Sequence, residues 1–474
     1  MYSVIFIALC CFAGLLLLKH LQVAVFSPLS AIPNAHFLAP YTRYWLKYLK
    51  AKGQEHRVRD TAHKRLGPVI RLGPKELSVN CIENGVSTIY GGGSGGWDRG
   101  AWYEIFENYG HSFMFAMAKA KPHSERKRMI ANVYTKTYIQ SSHELTDILH
   151  TMLSERLIPQ MHSWAENGDA INVQRENKAY NMDCSTAYFF GLGNGTNFIE
   201  MPDEKALLKD FELGMSGLFW FAEAPGITSL MRRFGIKLLR SEVFQSCHVM
   251  EEICLKMCGK AKLTVQHDPA KGSTSHPTVY AQLRKKLEEA NVASETLDTL
   301  IAAELLDHTQ AGHEPSGITL TYLMAELSRN PSATEKLREE LRTLRRVDAV
   351  WSSPQALDNL PYLDAVLMET MRLYPGALGP FPRLVPAGGA KLGKFSNIPA
   401  GTTVSTSAYA LHRNPSVFRD PEKWQPERWL HSDTVTRKEM QKWFWEFGSG
   451  SRMCIGNYLA IRSKTVDALK ARGH

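Results

Sequence analysis

Hydrophobic and polar residues follow two different periods along this chain, and the helical period dominates. Residues 69–72 and 76–79 alternate with the two-residue period of strands on either side of Gly73-Pro74, which predicts a hairpin. Strand patterns return near residues 390–395 and 402–406. Helical patterns fill most of the interval, and the longest runs over residues 294–330, ~55 Å at 1.5 Å per residue, before Pro331. The sequence therefore predicts a mainly α-helical protein with a small β-sheet made from distant segments.

The N-terminus carries an uncharged, mostly apolar run over residues 2–18, followed by Lys19-His20 and a second apolar patch. A helix over this run reaches ~25 Å, and ~37 Å with the patch, close to the thickness of a bilayer core. The positive charges follow the run, whereas a cleaved signal peptide carries them before it. We therefore expect residues 1–27 to be a retained membrane anchor, with the body of the protein on the cytosolic side.

The next two segments are predicted to be a hinge outside the membrane and a helix that lies on the membrane surface. Pro28, Pro33 and Pro40 each fix φ and remove a donor, so residues 28–40 are predicted to form a stiff, non-helical hinge. Residues 41–63 are predicted to form one basic helix whose aromatic side chains lie near the membrane interface. The remaining chain, residues 41–474, is predicted to be one catalytic domain.

Composition narrows the classes of partner. The chain has 474 residues, a net charge of +9 and 44% hydrophobic residues. A positive chain without a basic tail fits an acidic membrane surface or an acidic protein face better than nucleic acid. Its eight cysteines form no paired framework, and Cys254 and Cys258 have no histidine at ligand spacing. A disulfide scaffold or a structural zinc site is therefore not expected.

One glycine-rich loop near the C-terminus concentrates the chemistry. It brings Cys454 to the start of a predicted helix, where unpaired backbone N–H groups favour a thiolate. The loop resembles the haem-binding loop of the cytochrome P-450 family, Phe-x-x-Gly-x-Arg-x-Cys-x-Gly, at Phe447, Gly450, Arg452, Cys454 and Gly456. The resemblance implies that Cys454 is the axial iron ligand of haem b, with Phe447 and Arg452 beside the cofactor.

Other segments resemble the family in the same order along the chain. In the family, a helix carries the pattern Trp-x-x-x-Arg, which binds one haem propionate. At the corresponding positions this chain has His123 and Lys127. Arg383 matches the strand arginine that reaches the second propionate. Glu369 and Arg372, three apart on a helix, and Arg428 of the segment 426–429 match the family's Glu-x-x-Arg and Pro-Glu-Arg motifs. Their expected role is structural, with Glu369 paired by both arginines.

The centre of the longest predicted helix resembles the family's oxygen-binding pattern, Ala/Gly-Gly-x-Asp/Glu-Thr. Ala311 and Gly312 supply the small residues that leave room over the iron, and Glu314 supplies the acid for proton delivery. The threonine is absent, because Pro315 stands in its place. Ser316 is the nearest hydroxyl, and we expect it to compensate only if the helix kinks.

The resemblance implies a cytochrome P-450 fold preceded by one transmembrane helix, in a haem-dependent monooxygenase of secondary metabolism that acts on a lipophilic small molecule. Its electrons would come from NADPH-cytochrome P-450 reductase, and it would lie in the endoplasmic reticulum membrane as a single-pass protein. Only 20 residues follow Cys454, which suggests a shortened C-terminus. A haem-thiolate isomerase or dehydratase without oxygen activation, or a truncated product that binds haem poorly, are the alternatives.

Overall fold

A computed structural model describes residues 5–7, 11, 14–15, 18, 22, 26–91, 96–216, 222–236, 241–267, 273–344, 354–431 and 433–468. The helices are α1 (Tyr44–Ala51), α2 (Glu55–Leu66), α3 (Ser87–Tyr90), α4 (Ala120–Ile130), α5 (Lys136–Ser141), α6 (His143–His150), α7 (Ile158–Asn167), α8 (Val173–Phe190), α9 (Pro202–Lys205), α10 (Leu208–Ser216), α11 (Pro225–Arg233), α12 (Ser241–His267), α13 (Thr278–Glu289), α14 (Ser294–Arg329), α15 (Pro331–Arg342), α16 (Pro354–Asp358), α17 (Pro361–Leu373), α18 (Ala408–Leu411), α19 (Arg428–His431), α20 (Thr434–Trp443) and α21 (Asn457–Ala468).

The strands are β1 (Val69–Gly73), β2 (Glu76–Val79), β3 (Arg383–Leu384), β4 (Ala390–Leu392), β5 (Phe395–Ile398) and β6 (Thr403–Ser405). Short 3-10 turns occur at Pro28–Ala31, Ala101–Ile105, Ala131–Tyr134 and Gly450–Arg452. The mainly helical content with a small sheet region is the fold class that the sequence predicts.

The chain divides into two compact units, each assembled from three separate segments. The first unit contains Met1–Gly100, Ala377–Glu422 and Val435–Met453. The second unit contains Ala101–Gly376, Lys423–Thr434 and Cys454–His474.

The first unit is built on a four-stranded sheet in the order β1-β2-β6-β3. The antiparallel pairing of β1 with β2 confirms the predicted hairpin around Gly73-Pro74. β2 then pairs in parallel with β6, and β6 pairs antiparallel with β3. The strand predicted near residues 390–395 is instead a small hairpin of β4 and β5, because Gly393 turns the chain at a φ of +54°.

Two predictions about the start of the first unit are wrong. Residues 28–40 are not non-helical throughout: Pro28–Ala31 form a 3-10 turn, and Leu29 and Ile32 are buried. Backbone hydrogen bonds also tie this segment to Arg71. The single helix predicted over residues 41–63 is two helices, α1 and α2, because the chain turns at Gly53, which has a φ of +64°.

The described residues contain no helix with the length and apolar character needed to cross a bilayer. Most of residues 1–27, where the anchor is predicted, lie outside the described residues. The transmembrane anchor therefore stays a prediction.

The second unit is organised around α14, which is 36 residues long and ends at Arg329, two residues before Pro331 and close to its predicted bounds. This length corresponds to ~54 Å. α14 packs against α8, α12, α17 and α21. Its buried residues extend from Leu297 to Glu326, and α8 beside it is buried at every position over residues 177–190. Pro315 lies inside α14, and the helix continues through it.

Candidate active site

The cysteine loop begins in the first unit with two tight turns. The N–H of Gly448 donates to the carbonyl of Trp445, and the N–H of Met453 donates to the carbonyl of Gly450, both at 3.1 Å. Gly448 and Gly450 have φ angles of +69° and +67°, a region that side chains with a Cβ rarely adopt. Glycine at these positions is therefore a requirement of the loop's own geometry.

Aromatic rings pack together at the start of this loop. The ring of Trp445 lies 4.8 Å from that of Tyr90 and 5.6 Å from that of Phe381, measured between centroids. Its indole N–H donates to the hydroxyl of Ser449 at 2.9 Å, and its backbone N–H donates to Nε2 of His412 at 2.7 Å. Sequence reasoning did not identify these contacts.

Arg383, predicted to reach a haem propionate, lies in β3 and is 4% exposed. Its guanidinium carbon lies 5.0 Å from the centroid of the Tyr90 ring, within range of a cation–π interaction. The hydroxyl of Tyr90 accepts the N–H of Thr406 at 3.1 Å and donates to the carbonyl of Phe381. Tyr90 therefore contacts both Arg383 and the loop residue Trp445. The two other predicted first-unit residues, Phe447 and Arg452, are half-buried.

Cys454 lies in the second unit, and its side chain is exposed. The sequence predicts it at the start of a helix, but α21 begins three residues later, at Asn457. A turn over Ile455 and Gly456 separates the thiol from the helix. Support for a thiolate from the helix N-terminus is therefore weaker than the sequence suggests. α21 packs on α14 and α17.

Glu369 is the centre of a fully buried ion cluster on α17, as predicted. Nε and Nη2 of Arg372 donate to its two carboxylate oxygens at 2.8 and 2.9 Å. Nε of Arg428 donates at 3.0 Å, the indole N–H of Trp429 at 3.1 Å and the backbone N–H of Gln425 at 2.9 Å. This cluster fixes α19 against α17, the helix on which α21 packs.

The middle of α14 has one exposed position. Of residues 301–320, all described, only Ala311 is exposed, and Pro315 on the next turn is half-buried. Gly312 faces the other way: a Cβ there would lie 2.7 Å from Oγ of Ser185 on α8. Its small size is therefore needed for the packing of α14 on α8. That Ala311 and Gly312 leave room over the iron stays a prediction.

Glu314 and Ser316 occupy different environments. The ammonium of Lys178 lies 3.3 Å from Glu314 and 2.7 Å from Glu212. Burial opposes the charge of Lys178, but the two carboxylates outweigh it and raise the pKa of the lysine. Proton delivery by Glu314 would require this ion pair to open, and that role stays a prediction. The Ser316 side chain is buried.

His123 and Lys127 lie four residues apart on one face of α4, His123 buried and Lys127 half-buried. Their contact with a propionate stays a prediction. α4 leads into the turn Ala131–Tyr134, which contacts α21, and α21 contacts α14. The structure thus brings together the elements that carry the predicted second-unit residues His123, Lys127, Ala311, Gly312, Glu314, Ser316 and Cys454.

A second buried cluster lies on the same part of α14. The carboxylate of Glu304 accepts the backbone N–H of Met114 and Nη1 of Arg126, each at 3.2 Å. Nε2 of His308 lies 3.7 Å from this carboxylate, and its Nδ1 lies 2.8 Å from the hydroxyl of Tyr134. Sequence reasoning missed this cluster, because its members come from four segments and only the four-residue spacing of Glu304 and His308 is visible in the sequence.

Tyr134 is the buried phenol of this cluster. Burial is the main cause that raises the pKa of Tyr134 well above its usual value, so the phenol keeps its proton at neutral pH.

The residues present fit a haem group. Haem bound through a thiolate needs one accessible cysteine, an apolar wall and cationic or hydrogen-bonding side chains for two propionates. Cys454 is exposed, and Ala311 is a small residue and the one exposed position of the described segment 301–320. A Cβ at Gly456 would meet nothing within 4 Å, so the backbone near Cys454 is open to a neighbouring group.

Comparisons with known proteins agree with this donor set. The family model for cytochrome P-450 matches residues 35–465. Over 424 residues, the chain is 31% identical to cytochrome P-450 monooxygenase avaI of Aspergillus versicolor, covering 86% of this chain and 95% of the relative. It is 27% identical to cytochrome P-450 monooxygenase orf2 of Aspergillus niger, covering 95% and 87%. It is also 27% identical to cytochrome P-450 monooxygenase macH of Penicillium terrestre, covering 94% and 86%.

Proposed function

The chain belongs to the cytochrome P-450 family and is a monooxygenase of that family, and from this premise we propose that it inserts one atom of O2 into a lipophilic small molecule of secondary metabolism, with electrons from an NADPH-dependent reductase. The observation that carries the proposal is the exposed thiol of Cys454 at the end of the loop from Phe447 to Gly456. The family match spans residues 35–465 and therefore includes the whole of this loop.

When bound, haem supplies the redox chemistry that activates O2. The chain's own residues would hold it. Cys454 would supply the thiolate that binds the iron, and Arg383 and Arg452 would supply cationic groups for the propionates, with His123 and Lys127 as the corresponding pair on α4. Ala311, with its small side chain, would leave room for a ligand. Glu314, one turn further along α14, would supply a proton-accepting carboxylate.

The reaction class is tested with the purified full-length protein, NADPH and NADPH-cytochrome P-450 reductase. We expect stoichiometric haem, reductase-dependent consumption of NADPH and incorporation of one atom of labelled O2 into a lipophilic substrate. Pro315 favours one alternative, a haem-thiolate isomerase or dehydratase, because the usual hydroxyl is missing there. Turnover of a substrate without NADPH would support that alternative and contradict the monooxygenase.

We expect Pro315→Thr to improve the coupling of NADPH use to product. Pro315 supplies no N–H to the carbonyl of Ala311, four residues back, and it carries no hydroxyl. The wild type should therefore release peroxide for a substantial share of the NADPH consumed, and the threonine variant should release less. Peroxide per NADPH is the measurement.

Pro315→Ala is the matched control, because it restores the N–H without the hydroxyl. Equal improvement in both variants would assign the effect to the helix hydrogen bond. Tight coupling in the wild type that is lost in Pro315→Thr would show that proline is an adapted part of the mechanism.

We also propose that the protein is held at the endoplasmic reticulum membrane by residues 1–27 and by the aromatic face of α1. Tyr44 and Tyr48 on this face are 68% and 63% exposed. The ammonium groups of Lys47 and Lys52 lie 5.8 and 5.9 Å from the centroids of these two rings. Exposed aromatic rings beside cations are typical of a surface that binds an anionic membrane.

Deletion of residues 1–27 is expected to release the protein only partly from membranes and to leave haem binding unchanged. Adding Tyr44→Ser and Tyr48→Ser should weaken the residual binding to anionic vesicles by about tenfold, or ~1.4 kcal/mol. Vesicle co-sedimentation measures this binding. Tyr322→Ser, which alters an exposed tyrosine of α14, is the control and should leave the binding to anionic vesicles unchanged. Loss of haem on deletion would mean that residues 1–27 belong to the fold.

A further inference from the structure

His412 is a fully buried residue that no motif of the family match explains here. It follows α18 directly, and its side chain is 0% exposed. Its ring lies parallel to that of Phe444, with centroids 5.3 Å apart and planes inclined by 7°. The residue thus packs against the segment that enters the cysteine loop.

The hydrogen bond from the loop determines the protonation state and the tautomer of His412. The backbone N–H of Trp445 lies 2.7 Å from Nε2 of His412. A peptide N–H is only a donor, so Nε2 must be the acceptor, and the imidazole is neutral with its proton on Nδ1. A buried peptide N–H that lost this acceptor would have to go unsatisfied or move.

The peptide of Trp445, which donates this hydrogen bond, lies at the start of the loop. The carbonyl of Trp445 accepts the N–H of Gly448, so the same residue also closes the loop's first turn. Its indole N–H bonds Ser449 further along the loop. A shift of the Trp445 peptide would therefore move the turn that precedes Arg452 and Cys454.

We propose that His412 is a positioning residue of the cysteine loop: its neutral Nε2 holds the Trp445 peptide and thereby sets the path of the chain to Cys454. This inference rests on the proposed function, because the purpose of a fixed path is to present Cys454 to haem. It adds a residue 42 positions before the cysteine, outside every segment that the sequence pattern singled out.

Two amide variants distinguish the effect of losing the hydrogen bond to Trp445 from the effect of changing the shape of the side chain. His412→Gln places an amide oxygen near the position of Nε2, whereas the shorter His412→Asn ends near the position of Nδ1. We expect Gln to keep the bond and Asn to lose it. His412→Phe keeps a flat ring against Phe444 and offers no acceptor. His63→Phe is the control, since His63 is also buried in the first unit and hydrogen-bonded at both ring nitrogens, to Gly67 and Ser78.

The first measurement needs no haem. Hydrogen exchange of the Trp445 amide is compared with that of the β6 amides in the same protein, so that global destabilisation cancels. This ratio should rise about fivefold or more in His412→Phe and His412→Asn, because a buried hydrogen bond is lost. It should stay near the wild-type value in His412→Gln and His63→Phe.

The second measurement is the share of the ferrous carbon-monoxide complex with a thiolate-type Soret band. This share should fall in His412→Phe and His412→Asn and be retained in His412→Gln. If Gln and Asn behave alike in the exchange ratio, the proposal is overturned. A protein that binds no haem at all would instead overturn the proposed function, while the exchange ratio would still decide the role of His412.

Discussion

Cys454→Ser is expected to abolish the thiolate-type spectrum of the ferrous carbon-monoxide complex and all monooxygenase activity. A serine hydroxyl is not ionised at neutral pH, so it cannot replace a thiolate as an anionic ligand. The sulfur is exposed, and its removal should leave the fold almost unchanged. We therefore expect normal expression and normal thermal unfolding of the haem-free protein, together with complete loss of the spectrum.

Cys247→Ser is the matched control, because Cys247 is also an exposed cysteine of the second unit. It should retain the spectrum and the activity. A Cys454→Ser protein that kept the thiolate-type band would refute the ligand assignment. Loss of folding in Cys454→Ser, seen in the haem-free protein, would instead mean that the cysteine packs in the core.

Glu369→Ala is expected to cause the largest loss of stability of any single substitution considered. Glu369 and Arg372 are 0% exposed, and the substitution leaves two buried guanidinium groups and the indole N–H of Trp429 without their shared acceptor. Breaking a buried ion pair from one side costs about 3–5 kcal/mol. A typical protein has only about 5–15 kcal/mol of stability, so soluble yield should fall sharply. Denaturant unfolding measures the loss.

Glu335→Gln is the control for the loss of a carboxylate from an ion pair. Its partner Arg342 lies 2.9 Å away, but both side chains are about half exposed. The expected change is below about 1 kcal/mol. An unfolding free energy for Glu369→Ala within that same range would contradict the role of the buried cluster. Glu369→Gln should fall between the two, because it keeps the shape of the side chain and loses its charge.

The sequence predicted those parts of the site that depend on neighbours along the chain. The β1–β2 hairpin follows from alternation around a Gly-Pro turn, and α14 follows from a long helical pattern that ends at a proline. The Glu369 cluster was also predicted, because Glu369 and Arg372 share a helix face and the motif containing Arg428 follows in family order. In each case the signal lies within one segment or in a known order of segments.

The sequence failed where the contact partner comes from an unrelated segment. Nothing in the pattern around His412 indicates that its acceptor nitrogen meets the Trp445 peptide 33 residues later. The close packing of Gly312 on Ser185 was missed because helical spacing alone does not tell which face of α14 meets α8. The break at Gly53 was missed because residues 41–63 carry a helical pattern on both sides of it.

The parallel pairing of β2 with β6 has a consequence for the order of events during synthesis. β2 emerges early from the ribosome, yet a first-unit contact such as that of Asn80 with Ala410 spans 330 residues. At ~5–20 residues per second, roughly 15–65 s pass before the partner strand exists. For that time the β1–β2 hairpin has an open edge, which is a template for pairing with other chains. The nascent chain is therefore open to pairing with other chains during this period, and slower translation would lengthen its exposure.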